Sequence, residues 1–266
     1  MQGGRLEIRL LGSFALLMNE RPLPLGQPKQ RALLAVLALH SDRPVYTGEI
    51  IDAVWGEAPP NGARNQIHVY VRGIRRNLGA AGLRPGLVET LPDGYRLATP
   101  AHTVDLGVFR QRMVEGRRLV RDDQLSPGAE AIQDALAVWH DSPLGGLPGA
   151  YFERAATALE QQRLAALEQH MRLQQVLGRH AELAVTLHAA LEDHPFHEEL
   201  RYGLMFSLHQ CGRTVEALAV YREGRARTVD EFGIEPGHRL QALQRRLIRD
   251  EPVPPPAVDV RREIPR

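Results

Sequence analysis

Alternation of apolar and polar residues with a period of two occurs only in the first hundred residues of this 266-residue chain. Arg5–Leu10 shows it, Phe14–Met18 follows after a Gly-Ser turn signal, and Leu23–Leu25 is a third short candidate. This pattern is typical of short β-strands. From Val104 onward the apolar residues recur at helical spacing instead. The fold class is therefore expected to be mainly α, with a small α+β domain followed by an all-α domain.

The first domain, expected at residues 1–100, has the element order of a winged helix-turn-helix. Proline suits the first turn of a helix, so one helix should begin near Pro28 and end before Ser41. A second helix should span Gly48–Trp55 with Thr47 as its N-cap, and a third should run from about 62 to 78. A hairpin with Pro92-Asp93-Gly94 at its tip closes the domain. In this order the third helix is the one that reads DNA.

The third predicted helix is amphipathic, with a basic and amide-bearing outer face. Its apolar stripe faces a core and consists of Ile67, Val71, Ile74 and Leu78. The opposite face carries Asn65, Val69, Arg72, Gly73 and Arg76, with Gln66 and His68 at its margins. The chain has no acidic residue between Glu57 and Glu89, whereas this window holds Arg64, Arg72, Arg75, Arg76 and Arg84. A local basic stripe favours a phosphate-binding surface. A solvated helix face is the alternative interpretation.

The residue types on this face suit the edges of bases in the major groove. Arg72 can form a bidentate contact with guanine, Asn65 and Gln66 can pair with adenine, and Val69 can pack on a thymine methyl group. Gly73 would allow the helix backbone to approach DNA closely.

Other cations suit the phosphates, which position a protein on DNA without specifying sequence. Arg64, Arg75 and Arg76 are the candidates on the helix. Arg96 in the hairpin is a candidate minor-groove or phosphate contact.

The second domain, expected at residues 101–250, resembles an array of tetratricopeptide-like helices. Helical patterns occur at about 105–122, 126–140, 150–178, 180–193, 197–211, 213–232 and 237–249. Gly178-Arg179 and Gly212-Arg213 lie 34 residues apart and each precedes a helix, which matches the tetratricopeptide period. Residues 251–266 are rich in proline and lack periodicity, so a disordered tail is expected.

Several classes of function find no support in the sequence. There is no glycine-rich phosphate loop and no nucleophile elbow, so no catalytic residue and no cofactor are expected, and the chain is predicted not to be an enzyme. The single cysteine, Cys211, is expected to be buried, and the cluster around His194 and His197 lacks metal-ligand spacing, so no metal is expected. No apolar run is long enough for a membrane helix, and a cytoplasmic, nucleoid-associated location is expected.

Four segments resemble the Streptomyces antibiotic regulatory protein family. They are Pro28–Leu39, Ile50–Pro60, Ala63–Leu78 and Gly94–Leu97, and the region from 104 to about 249 is similar to that family's bacterial transcriptional activation domain. The resemblance implies a winged helix of the response-regulator type without a receiver domain. Larger members of the family carry further modules, so the chain is expected to be a small member or part of a longer regulator.

The resemblance also implies a function and partners. The protein would activate a secondary-metabolite (antibiotic) gene cluster by binding direct repeats in promoter DNA near the −35 element. Its partners would be double-stranded DNA, RNA polymerase holoenzyme and a second copy of itself on DNA. The connection before the third helix, with Glu57, Pro59 and Pro60, would face the polymerase. Two alternatives remain: the helical domain could bind peptides, or it could sense a small molecule that controls DNA binding.

Overall fold

The computed structural model describes residues 6–24, 26–41, 43–83, 85–100 and 103–254. Its strands are β1 (Leu6–Arg9), β2 (Ala15–Met18), β3 (Arg21–Pro22), β4 (Val45–Tyr46), β5 (Val88–Leu91) and β6 (Gly94–Leu97). Its α-helices are α1 (Pro28–Leu39), α2 (Thr47–Trp55), α3 (Ala63–Ala80), α4 (Asp105–Arg121), α5 (Leu125–Leu136), α6 (Ala150–Val176), α7 (His180–Asp193), α8 (Glu198–Gln210), α9 (Thr214–Phe232) and α10 (His238–Ile248). The mainly helical fold with two small N-terminal sheets confirms the predicted fold class.

The chain forms two compact units. The first contains residues 1–115 and 133–164, and the second contains residues 116–132 together with the chain from 165 onward. The limits of these compact units differ from the domain limits expected at residues 100 and 250. The expected domain limits come from the sequence and stay a prediction. Most of the expected tail, residues 255–266, lies outside the described residues.

The first sheet is an antiparallel meander in the order β1-β2-β3. Glu7 is paired with Leu17, and Ile8 on the same strand is fully buried. The strand expected at Leu23–Leu25 is wrong, because the pairing lies earlier, at Arg21–Pro22, and Leu25 lies outside the described residues. Leu23 still donates its backbone N–H to Leu16 O at 2.8 Å, so the extended chain continues beyond the strand.

The second sheet, in the order β4-β6-β5, contains the predicted hairpin as β5 and β6. The two-residue strand β4 was not predicted, because two residues show no period. Its pairing with β6 explains Gly94, where a Cβ atom would overlap the backbone of Val45. The N-cap expected at Thr47 is wrong: α2 begins at Thr47 itself, and the Thr47 hydroxyl donates to Asp93 O at 3.1 Å.

Helices α1, α2 and α3 surround a common core, and their bounds agree with the prediction to within two residues. All four residues of the predicted apolar stripe on α3 are buried, with Ile67 at 0% exposure. They pack with α1, in which every residue from Ala32 to Ala38 is buried. The buried stripe fixes the rotation of α3 and therefore decides which of its side chains face outward.

The backbone between β1 and β2 forms hydrogen bonds with Asp105 and with residues 144–145, which are distant in sequence but belong to the same compact unit. The buried Asp105 carboxylate accepts the backbone N–H groups of Leu10 and Leu11, each at 2.9 Å. Phe14 donates to Gly145 O at 2.9 Å, and Leu144 donates to Leu10 O at 2.8 Å. Burial raises the pKa of Asp105 to about 6, against the lowering effect of these backbone donors.

The helices lie where they were expected after residue 104, except that α5 ends at Leu136, four residues before its expected end. The two repeat turns share one geometry. Gly178 and Gly212 both have positive φ, at 71° and 75°. In each turn the next residue donates back five positions, Arg179 to Gln174 O and Arg213 to Leu208 O, both at 2.9 Å. This is the Schellman ending of a helix, in which glycine is favoured. The burial expected for Cys211 is wrong, since this turn exposes it.

Candidate nucleic-acid interface

The outer face of α3 has the composition that the sequence predicted, with one exception. Its exposed side chains in the first four turns are Arg64, Asn65, Gln66, His68, Val69, Arg72 and Arg76. Val69 is 64% exposed, which is high for an apolar residue within a helix. The face thus combines long cations, amides and one apolar side chain, the set that reads base edges in a major groove.

Three arginines on this face have no partner in the part of the chain that the structure describes. No hydrogen bond or ion pair among the described residues involves the guanidinium group of Arg64, Arg72 or Arg76. The guanidinium group always carries its charge and offers five N–H donors. These three groups are therefore available for an external anion or a base edge. Arg84 lies outside the described residues.

Gly73 is the exception, and the expectation that it faces DNA is wrong. It is buried, and a Cβ atom at this position would overlap the side-chain amide of Gln30 on α1. The same Gln30 closes a capping box with Gln27 at the start of α1. The absence of a side chain at residue 73 thus lets α1 approach α3, and the approach serves the protein core.

Arg75 is turned away from the outer face and holds the hairpin. Its guanidinium donates to Val88 O through Nε at 3.0 Å and through Nη2 at 2.7 Å, and to the Thr90 hydroxyl at 2.8 Å. All of these acceptors lie on β5. Arg75 therefore fixes the β5–β6 hairpin (the wing) relative to α3. Its role as a phosphate contact stays a prediction.

Arg96 on β6 is paired within the hairpin. Its Nε donates to Glu89 Oε2 at 3.0 Å, and the two residues are direct cross-strand neighbours. Both side chains are 38% exposed, so water screens the pair. The carboxylate offsets the charge that a minor-groove or phosphate contact would use. That expected contact also stays a prediction.

A row of side-chain contacts connects α1 and α2 to Gln66 on α3, and no sequence pattern was used to predict it. The Lys29 ammonium donates a hydrogen bond to Val54 O, and its Nζ lies 5.8 Å from the centre of the Trp55 ring. Trp55 stacks on Tyr70 with the ring centres 6.0 Å apart. The Tyr70 hydroxyl donates to Gln66 Oε1 at 3.3 Å. The four-residue spacing of Gln66 and Tyr70 on a helix was an available signal.

This row of contacts gives Gln66 a preferred orientation. Because its Oε1 already accepts a hydrogen bond, the NH₂ group is the part of the amide left to face outward. A second contact ties the same helix to the wing, where the Tyr95 hydroxyl and His68 Nδ1 lie 2.6 Å apart. Tyr95 is buried, and that burial raises its pKa.

The connection between α2 and α3 is exposed at the residues expected to contact polymerase. Glu57 and Pro59 are exposed and Pro60 is half-buried. A glycine stands at each end, Gly56 with φ of 63° and Gly62 with φ of 89°. Both values favour glycine, so the backbone turns sharply at both ends of this connection.

Other kinds of site find little support in the described part of the chain. No group of three or more His, Cys, Asp or Glu residues there could hold a metal ion. His197 instead accepts the Leu200 N–H at the start of α8, and Glu198 accepts the Gly237 N–H at 2.7 Å. None of the described helices is both long and apolar enough to cross a membrane.

Two family patterns match the chain in succession. Residues 21–97 match the transcriptional regulatory protein, C-terminal family, and residues 104–248 match the bacterial transcriptional activator domain. The first range contains α1, α2, α3 and the hairpin, and the second contains α4 to α10. The matches therefore cover both the candidate interface and the helical array.

Characterised relatives align along nearly the whole chain. The transcriptional regulatory protein EmbR of Mycobacterium tuberculosis is 35% identical over 94% of this chain, which spans 65% of EmbR's length. The regulatory protein AfsR of Streptomyces coelicolor is 33% identical over 94% of the chain and 25% of its own length. The regulatory protein DnrI of Streptomyces peucetius is 31% identical over 93% of both chains.

A solved structure has the same fold. Mycobacterium tuberculosis EmbR in complex with a low-affinity phosphopeptide superposes with a TM-score of 0.82 and 33% identity, over 98% of this chain and 68% of that one. The chain thus combines a winged helix with a helical activator domain, and its relatives are transcriptional regulators. The protein belongs to the Streptomyces antibiotic regulatory protein family of transcriptional regulators.

Proposed function

We propose that this protein activates transcription of a secondary-metabolite (antibiotic) gene cluster by placing α3 in the major groove of promoter DNA. The observation that carries the proposal is the outer face of α3, where Arg64, Arg72 and Arg76 have no partner among the described residues. Arg72 reads a guanine, and Arg64 and Arg76 hold phosphates. The relatives AfsR and DnrI, which are named regulatory proteins, support the regulatory part of the proposal.

The binding site consists of two half-sites in the same direction. One winged helix contacts only a few base pairs, so selection of one site in a genome requires two copies or a partner. Residues 1–100 contain no heptad-patterned helix that would form a two-fold dimer, which would demand a palindrome. A head-to-tail pair on a direct repeat, with half-sites about one helical turn or ~10–11 base pairs apart, satisfies both conditions.

The test of this proposal is a footprint on neighbouring promoters, followed by titrations of the protected DNA. Cooperative binding is expected on the direct repeat. Moving one half-site by ~5 base pairs puts it on the opposite face of the duplex and should abolish cooperativity. Inverting one half-site should do the same. An inverted repeat that bound as tightly as the direct repeat would refute the head-to-tail arrangement.

Recruitment of RNA polymerase is assigned to the exposed connection between α2 and α3. Glu57 and Pro59 protrude there without a structural partner among the described residues, next to the reading helix. Glu57→Ala should keep DNA affinity while lowering the yield of transcription in vitro. Asp52→Ala is the matched control, because this exposed acid lies on α2 outside the connection. Equal loss of DNA binding and transcription in Glu57→Ala would make the connection structural.

A further inference from the structure

A long trough runs along α8 in the second compact unit, between α7 and α9. It consists of two cavities, of about 410 and 360 Å³. Four residues line both cavities, so they form one continuous feature: His188, Leu204, Val220 and Glu223. Cavities of this size are typical of ligand sites.

The trough is apolar at its base and on one wall. Leu204 and Leu208 of α8 form the base and are at most 5% exposed, as is Ala184 of α7. Val185 stands on the α7 wall and is 72% exposed. An apolar base beside an exposed valine is a surface that gains free energy when another apolar side chain covers it.

Most of the charges on the walls are already paired. Arg213 forms two hydrogen bonds with Glu216, at 2.8 and 2.7 Å. Arg227 forms an ion pair with Glu223 at 2.8 Å. The first pair joins the N-cap residue of α9 to its first turn and the second lies within α9, so neither pair requires a partner from outside the chain.

Arg201 differs from these arginines. It lines the second cavity from α8 and is only 7% exposed. Its guanidinium donates to Val220 O at 3.1 Å and to Pro195 O, and it forms no ion pair with any carboxylate in the described part of the chain. Burial lowers the pKa of Arg201, while the nearby Glu223 raises it. The hydrogen bonds of this buried guanidinium go only to carbonyl oxygens, and a carboxylate within hydrogen-bonding distance would stabilise its charge further.

We propose that this trough binds a short peptide segment of a protein partner, with apolar side chains on the base and a carboxylate directed at Arg201. From Arg213 to Arg227 the trough follows α9 for about 20 Å at 1.5 Å per residue, which suits roughly six residues of extended chain. The charge requirement distinguishes this peptide from a purely apolar one. The inference concerns the second compact unit and is independent of the proposed DNA site.

The test begins with a phage-displayed library of random nine-residue peptides selected on the full chain. Enriched peptides should carry one Glu or Asp flanked by apolar residues. A synthetic peptide of the enriched sequence, followed by fluorescence anisotropy, should bind at least about tenfold more tightly than its Glu→Gln version, as for loss of a charge-assisted hydrogen bond. Equal binding by the two peptides would overturn the role of Arg201.

Two exposed valines supply matched variants that keep the fold intact. Val185→Gln removes apolar surface from the trough wall, whereas Val215→Gln makes the same change at a 77% exposed position of α9 outside the trough. Only Val185→Gln should weaken the peptide. Equal weakening by both variants would place the site elsewhere.

A selection that enriches nothing would overturn the proposal. If the chain then sedimented as a dimer that Val185→Gln dissociates, the trough would belong to a second copy of the chain. Promoter binding measured on the same variants should stay unchanged, so failure of this proposal and failure of the proposed function give different results.

Discussion

The outer face of α3 and the β5–β6 hairpin use the same residue type in opposite ways. On the helix, Arg72 and Arg76 extend outward without a partner among the described residues. At the hairpin, Arg75 holds β5 and Arg96 pairs with Glu89. A basic stretch of sequence therefore does not translate directly into a binding surface. Part of its charge fixes the geometry, and only the remainder is available to DNA.

The largest effect is expected from disrupting the hairpin. Gly94→Ala places a Cβ atom in the backbone of Val45, which cannot move away as a flexible side chain would. We expect a loss of about 3 kcal/mol in the free energy of unfolding, measured by chemical denaturation. Gly48→Ala is the control, since nothing lies within 4 Å of a Cβ there, and it should leave stability unchanged or raise it.

The next effect concerns reading by the helix. Arg72→Ala should cost about 1–3 kcal/mol of binding free energy and relax the base preference at one position. The measurement is affinity for a set of operators with single base substitutions. An unchanged substitution profile would mean that Arg72 does not face the base edges.

A smaller effect is expected in the salt dependence of DNA binding, where Arg76 should differ from Arg96, which is paired with Glu89. Arg76→Ala should weaken binding to all sequences alike and flatten the dependence of log affinity on log salt by about one unit. Arg96→Ala should change that slope less, because Glu89 already offsets its charge. Equal changes in slope would show that the Glu89–Arg96 pair opens on DNA.

Gly73 tests the division between core and interface within α3 itself. Gly73→Ala should lower stability by no more than about 1 kcal/mol, because the Gln30 side chain can move. Gln30→Ala in the same chain should remove most of this cost, as a double-mutant cycle would show. If Gly73→Ala instead lowered DNA affinity without changing stability, Gly73 would contact DNA.

The smallest effect concerns Gln66. Tyr70→Phe keeps the stacking on Trp55 but removes the hydroxyl that donates to Gln66. We expect about 0.5 kcal/mol of lost binding free energy, confined to the base that Gln66 contacts. An even loss across all base positions would mean that Tyr70 supports α3 as a whole.

The elements of this fold were predictable where a pattern repeats. The stripe from Ile67 to Leu78 set the buried face of α3, and helical spacing gave α4 to α10. The two-residue strand β4 carries no period and depends on its partner β6, so no local pattern indicates it.

The candidate site was predictable in its residue types but only partly in their roles. Helical spacing places Gly73 on the face opposite the buried stripe, and its burial depends on Gln30 of another helix. The use of Arg75 likewise depends on where β5 lies. The Glu89–Arg96 pair was within reach, because the two residues are directly opposite in the hairpin that the sequence predicted.

The hydrogen bonds from the β1–β2 backbone to Asp105 and to residues 144–145 have a consequence during synthesis. The first compact unit is not contiguous: it is completed only by residues 133–164. A ribosome adding about 5–20 residues per second needs several seconds to extend the chain from 98 to 164. During that interval the leading strands are already made, while the acceptors and donors that complete their backbone are still being translated. The winged helix therefore reaches its final form only after much of the activator domain has been made.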